Sequence, residues 1–581
     1  MKLTARYIGF TIAAILLLAS CNLSKKVSKS ANPEIIEADE NTAERRFSYI
    51  FHNAVKEKIL GNYEAAAQLY LEAIRIDPSQ AMANYDLSVV YIYLGRPDVS
   101  IDFAKRAYDL DEKNIWYSLL YSSLLQQFGQ IEESAKIYQK MAENNPEKVE
   151  IQFELANSYL LLNKFDDALK MYDKIESEIG INEEISVKKQ KIWLKKDKLE
   201  KAVEEIEKLI KSNPSEARYY LLMADLYNGN DIKDKAEFYI DKAIEIEPSN
   251  PYPYIAKAEF LEKRGNKTES FNYLKKAFES DELEFDVKYK TLVNLFQMTY
   301  QDSTLSEPTQ TLFETVEKVD NGEAKFFALF GDYLYKTGKP KLAVEKYKKS
   351  VELDKSNYNV WAQMLYIFSE LNDNENLAKN AAEAVELFPS QPVVYLFAGI
   401  GYFQIKKYDE SAEFLEAGAA LVVDNKPLLA QFYSSLGDTY HQLKINQKSD
   451  SYYEKSLALD PLNVYVLNNY AYYLSVRNEK LEKALEMSKK SNEIQPNSST
   501  FEDTYGWIFF QMKNYSEAKT WLEKALKNGG DKSAVILEHF GDVLFQLNDI
   551  EGAINYWKQA LKLDENSERI NNKIAQKKLI D

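Results

Sequence analysis

A single cysteine in 581 residues leaves no disulfide within one chain and no cysteine pair for a zinc site. The three histidines, His52, His441 and His539, stand far apart, and none lies in a HExxH context, so metal catalysis has no ligand set. There is no GxSxG elbow and no GxxxxGK phosphate loop. Gly399-Ile400-Gly401 is a bare GxG inside an apolar run and reads as close helix packing. Positive charge is also short, with 73 Lys and Arg against 90 Asp and Glu. A net charge of -17 argues against nucleic acid, whose binding needs clustered cations facing phosphates. The carboxylates are spread along the chain and single out no acid-base pair. These absences predict a protein that is not an enzyme, has no cofactor and takes no small-molecule substrate.

What is present is apolar and helical. Hydrophobic residues make up 45% of the chain and tyrosine alone supplies 41 positions, too much packing material for disorder and too much length for one core. Residues 1–20 have the grammar of an export signal: Lys2 and Arg6, then an apolar run from Ile8 to Ala19 that is shorter than the roughly 20 residues a membrane span needs. Leu18-Ala19-Ser20-Cys21 resembles the lipobox of bacterial lipoproteins. The resemblance implies that Cys21 is lipidated and the chain cut before it, so that several acyl chains anchor the protein in a membrane. Residues 22–46 are mostly polar and read as a tether that, as a flexible coil, reaches roughly 25 to 30 Å. Asn22 is not the aspartate associated with inner-membrane retention, so the family rule points to the outer membrane, and no acidic cluster of the kind linked to surface export follows Cys21, so the body is expected to face the periplasm.

Past the tether the chain is periodic. Gly61, Gly95 and Gly129 are 34 residues apart and Gly265 lies four periods further; Pro78, Pro146 and Pro214 are two periods, 68 residues, apart and Pro248 follows at 34. Within one period, Leu87, Val90, Tyr91 and Leu94 and then Ile101, Ala104 and Tyr108 have helical spacing on either side of Gly95-Arg96-Pro97. Each unit is therefore helix A, a tight turn, helix B and a second turn. The period and the residues Gly61, Tyr63, Ala66, Tyr70, Ala73 and Pro78 resemble the tetratricopeptide repeat (TPR). That resemblance implies an all-α, right-handed solenoid of about fifteen hairpins: an array over 47–284, an irregular repeat with a longer loop at 285–323, and a second array over 324–567. A further excess falls near Asp424 to Pro427. Residues 568–581 read as a capping helix with Ile570, Ile574 and Leu579 inward and Arg569, Lys573, Lys577 and Lys578 outward.

The resemblance also implies a concave groove, lined by A helices, that holds protein or peptide partners. By repeat position the groove candidates are Asp438, His441, Asn468, Tyr472, Asp503, Trp507, Phe510, Asp542 and Phe545. Trp507 and Phe510 are the expected anchors, since large aromatics on an open face bind apolar partners. The leading reading is an envelope adapter for secretion or outer-membrane assembly. The alternatives are a non-catalytic recruiting subunit of an enzyme complex, or a glycan-binding accessory of polysaccharide export.

Overall fold

The computed structural model describes residues 43–320 and 322–580, so the segment expected to be an export signal, Cys21 and nearly all of the expected tether lie outside the described residues. Among the described residues there are 31 α-helices and two short 3-10 turns, and no strand. Thirty of the helices pair as fifteen antiparallel hairpins, from Ala43–Ile59 with Tyr63–Ile76 to Ala534–Gln546 with Ile550–Leu563, and Glu568–Gln576 follows them. No described helix is long and apolar enough to cross a membrane. Hairpins 1 to 6 form one compact unit that ends at Glu247, and hairpins 7 to 15 form a second that begins at Pro248. Each unit is an α-solenoid in which a hairpin packs on its neighbours in sequence. The division falls at an ordinary inter-repeat turn rather than at the irregular repeat.

In every hairpin but the irregular eighth, the turn from helix A to helix B holds a residue in the left-handed region. Glycine takes it in hairpins 1 to 3, at Gly61 (φ 81°), Gly95 (φ 69°) and Gly129 (φ 73°). In hairpins 4 to 6 the same place, at the same 34-residue interval, belongs to Asn163 (φ 55°), Asp197 (φ 53°) and Asp231 (φ 58°). Short polar side chains tolerate this conformation better than other L residues, so the period continues where glycine stops marking it.

Inside a hairpin, three contacts recur. A serine near the start of helix B donates to the carbonyl oxygen twelve residues back, as in Ser134 to Ser122 (3.0 Å), Ser270 to Ala258 (2.8 Å) and Ser449 to Gly437 (2.8 Å). An aromatic ring from helix B packs against the glycine of helix A: a Cβ on Gly331 would lie 2.6 Å from the Tyr347 ring, and one on Gly437 2.7 Å from that of Tyr453. Third, the same aromatic donates its polar hydrogen to the residue fifteen before it, Tyr172 to Asn157 (2.7 Å) and Tyr347 to Asp332 (2.6 Å). Large rings are thus buried with their one polar atom satisfied. Gly399 and Gly401 obey the packing reading: a Cβ on the first would strike Leu415, and one on the second would sit 2.7 Å from the backbone of Ala378.

Both length irregularities are absorbed by helix rather than by open loop. The excess near 301–308 folds as the 3-10 turn Ser303–Leu305 running into helix Ser306–Val319, with Pro308 in its first turn. Pro427 stands in the first turn of helix A of hairpin 12, Lys426–Gln442, which runs to 17 residues where most A helices have 13. Proline is tolerated at both places because a first helical turn has no carbonyl for its missing N–H to leave unpaired.

Candidate binding surface

The nine groove candidates fall on the A helices of hairpins 12 to 15: Lys426–Gln442, Val464–Val476, Ser499–Gln511 and Ala534–Gln546. Their acids do not point freely outward. Asp438 accepts from Tyr453 of its own hairpin at 2.5 Å, and from Tyr473 (3.3 Å) and Asn469 (3.4 Å) of the next. Burial pushes its carboxyl above the usual carboxylate range, and these three donors pull against that. Asp542 accepts from Trp557 Nε1 at 2.8 Å and faces Lys573 at 2.7 Å. Asp503 sits 2.9 Å from His539 Nδ1, and both side chains are buried. Asn468 is buried too, at 3% exposure, and its Oδ1 has no hydrogen-bond partner. Asn468, Asp503 and Asp542 are therefore interior residues, which corrects the expectation of an open groove at those three positions.

For the two acids, Asp503 and Asp542, the physical reason is a ladder of polar rungs from one helix to the next along the stack. The sixth residue of one repeat reaches the fifth or ninth of the repeat before it: Asn469 to Asp438, His539 to Asp503, and Lys573 to both Glu538 and Asp542. Lys573, expected on the solvent face of the last helix, is 1% exposed and forms the final rung. Tyr473, His539, Glu538, Trp557 and Lys573 were not among the candidates. The fifteen-residue interval from Asp or Asn to Tyr or Trp is the sequence signal that identifies two of the acids as internally bonded.

The aromatic candidates remain partly open. Trp507 stacks between His539 (3.9 Å, 15°) and Phe510 (4.6 Å, 9°), while Tyr472 lies 6.5 Å from His539 and Phe545 5.8 Å from Trp557. Tyr472, Trp507, Phe510 and Phe545 are each intermediate in exposure. They form the apolar part of the surface, held in place from behind by the ladder.

His441 is also intermediate in exposure, stacked on Tyr473 at 3.5 Å and 13°. Burial, then the charge of Arg477, pushes its imidazole down to about 4, against the opposing pull of Asp450. The folded chain thus leaves this ring neutral between about 4 and its ordinary 6.5, where the unfolded chain binds a proton; stability is lost as pH falls through that window. A His441→Phe variant keeps the stack without the proton. Its melting temperature is expected to fall less than that of the parent between about pH 7 and pH 5, and equal falls would contradict this account of the ring.

Among the described residues no group of three His, Cys, Asp or Glu side chains is placed to hold a metal ion. Family profiles described as tetratricopeptide repeat match residues 60–115, 122–180, 217–250, 430–461, 452–486 and 504–528, and one described as TPR repeat matches 541–577. The chain is 28% identical over 166 residues to the type IV pilus assembly protein PilF of Pseudomonas aeruginosa, covering 28% of this chain and 63% of that protein. It is 30% identical over 112 residues to the BBSome complex member BBS4 of Bos taurus, covering 19% of this chain and 21% of that one. The chain thus spans less than two thirds of the length of either relative. The crystal structure of the APC/C hetero-tetramer Cut9-Hcn1 aligns over 92% of this chain and 96% of the matched one, at 13% identity and a TM-score of 0.37.

Proposed function

The chain is built of tetratricopeptide repeats, a protein-interaction scaffold, and on that premise we propose that it is a lipid-anchored adapter of the bacterial envelope. In this reading Cys21 holds it to the outer membrane and the body faces the periplasm. The observation that carries the adapter role is the strip of Tyr472, Trp507, Phe510 and Phe545. These rings stay partly open in a region where neighbouring polar groups are bonded inward. An aromatic strip on a rigid helical face offers contact area at little cost in side-chain entropy. The similarity to a pilus assembly protein supports a place in envelope assembly or secretion.

The anchor is tested by metabolic labelling with a radioactive fatty acid and by membrane fractionation. The parent chain is expected to carry label and to sediment with outer membranes, and Cys21→Ser to lose both. An unlabelled parent chain would remove the anchor from the account.

A further inference from the structure

Hairpin 15 presents a face that receives another helix. In hairpins 12 and 14 the acids on helix A are met by helix A of the next hairpin, through Asn469 and His539. On hairpin 15 the equivalent acids, Glu538 and Asp542, are met instead by the nine-residue helix Glu568–Gln576. Lys573 bonds Glu538 at 2.7 Å and Asp542 at 2.7 and 2.8 Å, and Arg569 bonds Glu538 at 2.7 Å. The carboxylates are one helical turn apart on one helix and the two cations one turn apart on the other. Ile570 is the one apolar side chain of the short helix that is fully buried; Ile574 and Leu579 are only partly covered. The seat is thus specified by charge more than by apolar area, and the segment that fills it is shorter than the 13-residue A helices that fill the same position elsewhere.

We propose that this face is a docking site for a partner helix carrying Arg or Lys side chains one turn apart beside an aliphatic residue, and that residues 568–576 occupy it as a built-in competitor. The proposal rests on the scaffold reading and names the chemistry of one partner: a basic amphipathic helix that displaces the strap and continues the stack. Both elements are already held at the right spacing, so the incoming helix gains the same ion pairs that the strap gives up. Exchange then depends on the additional apolar surface a longer helix covers.

The test uses the full chain and a fluorescent peptide spanning residues 564–581 as the probe. In an Arg569→Glu, Lys573→Glu variant the strap is repelled by Glu538 and Asp542, and the peptide is expected to bind at least tenfold more tightly than to the parent. Adding Asp542→Asn is expected to return binding to the parent level, and raising salt from about 0.1 to 0.5 M to weaken it severalfold. Equal binding by parent and charge-reversed chains, or indifference to Asp542→Asn, would overturn the dock. Where circular dichroism shows the double variant losing helix, the Lys573→Ala chain is titrated in its place under the same criteria. The titration needs no cellular partner, so its failure removes the dock and leaves the scaffold reading to its own test.

Discussion

Replacing Trp557 with alanine is expected to destabilise the C-terminal hairpins by about 3 to 5 kcal/mol, the range for deleting a buried large aromatic. Trp557 is fully buried, its ring lies in the space left by Gly541, and its Nε1 donates to Asp542 at 2.8 Å. The substitution opens a cavity and also takes a donor from a buried carboxylate that burial already raises above its usual range. Because a solenoid is stabilised between nearest neighbours, the loss is local. In urea unfolding with limited proteolysis, cleavage between Tyr515 and Leu579 is expected at lower denaturant while fragments from hairpins 1 to 6 keep their parent midpoint. Trp116, exposed at 43%, is the control: Trp116→Ala is expected to shift stability by about 0.5 kcal/mol or less. Equal effects of the two substitutions would contradict the packing described for hairpin 15.

A second large loss is expected at Lys189, in helix Glu183–Lys195 of hairpin 5. Its side chain is almost wholly enclosed, with Nζ 2.5 Å from Asp173, 2.9 Å from Glu176 and 3.2 Å from Glu205. Burial pushes the ammonium down, but hydrogen bonds to Asp173 and Glu176 and the charge of Glu205 outweigh it, and the group stands above the ordinary lysine range. Lys189→Ala leaves Glu176 and Glu205 poorly compensated in a site with little water, a change that costs about 3 kcal/mol or more. Lys208, 2.9 Å from Glu205 and 3.3 Å from Glu176, limits the damage. Chemical denaturation is expected to show the earliest loss of helix in hairpins 4 and 5, with the exposed Lys191→Ala as a silent comparison. A Lys189→Ala chain as stable as its parent would show that this cluster contributes nothing net.

Lys189 also shows where reading from sequence stops. The repeat was legible because Gly61, Gly95 and Gly129 stand where the backbone takes a positive φ, and Pro78, Pro146, Pro214 and Pro248 stand in the turns between repeats, places set by backbone geometry. Hairpins 4 to 6 lose the glycine but keep the conformation at Asn163, Asp197 and Asp231, which a search for glycine passes over. Lys189, Lys257 and Lys288 are buried, whereas apolar periodicity reads lysine as solvent-facing; only three-dimensional neighbours such as Asp320, 2.6 Å from Lys288, reveal their place.

The surface was half legible for a related reason. Repeat position correctly puts Asp438, Tyr472, Trp507 and Asp542 on A helices, but whether such a residue faces out depends on what the next hairpin brings. His539 and Lys573 draw Asp503 and Asp542 inward because each adds a cationic or hydrogen-bonding partner across the interface between repeats. The rings beside them have no such partner to claim them and stay partly open. Trp507 Nε1 is the exception among their polar atoms, buried without a hydrogen bond, so the residue is held by stacking alone.

The central claim is that this partly open aromatic strip holds protein partners while the chain is anchored through Cys21. The measurement that tests it most directly is a crosslinked pull-down from membranes with mass spectrometry, run on the parent chain, on Cys21→Ser and on a Tyr472→Ala, Trp507→Ala variant whose helix content and melting match the parent. The account predicts a defined set of envelope proteins with the parent chain, and loss of that set with either variant. Recovery of the same set by the Tyr472→Ala, Trp507→Ala variant, or of no protein set by the parent, would contradict it.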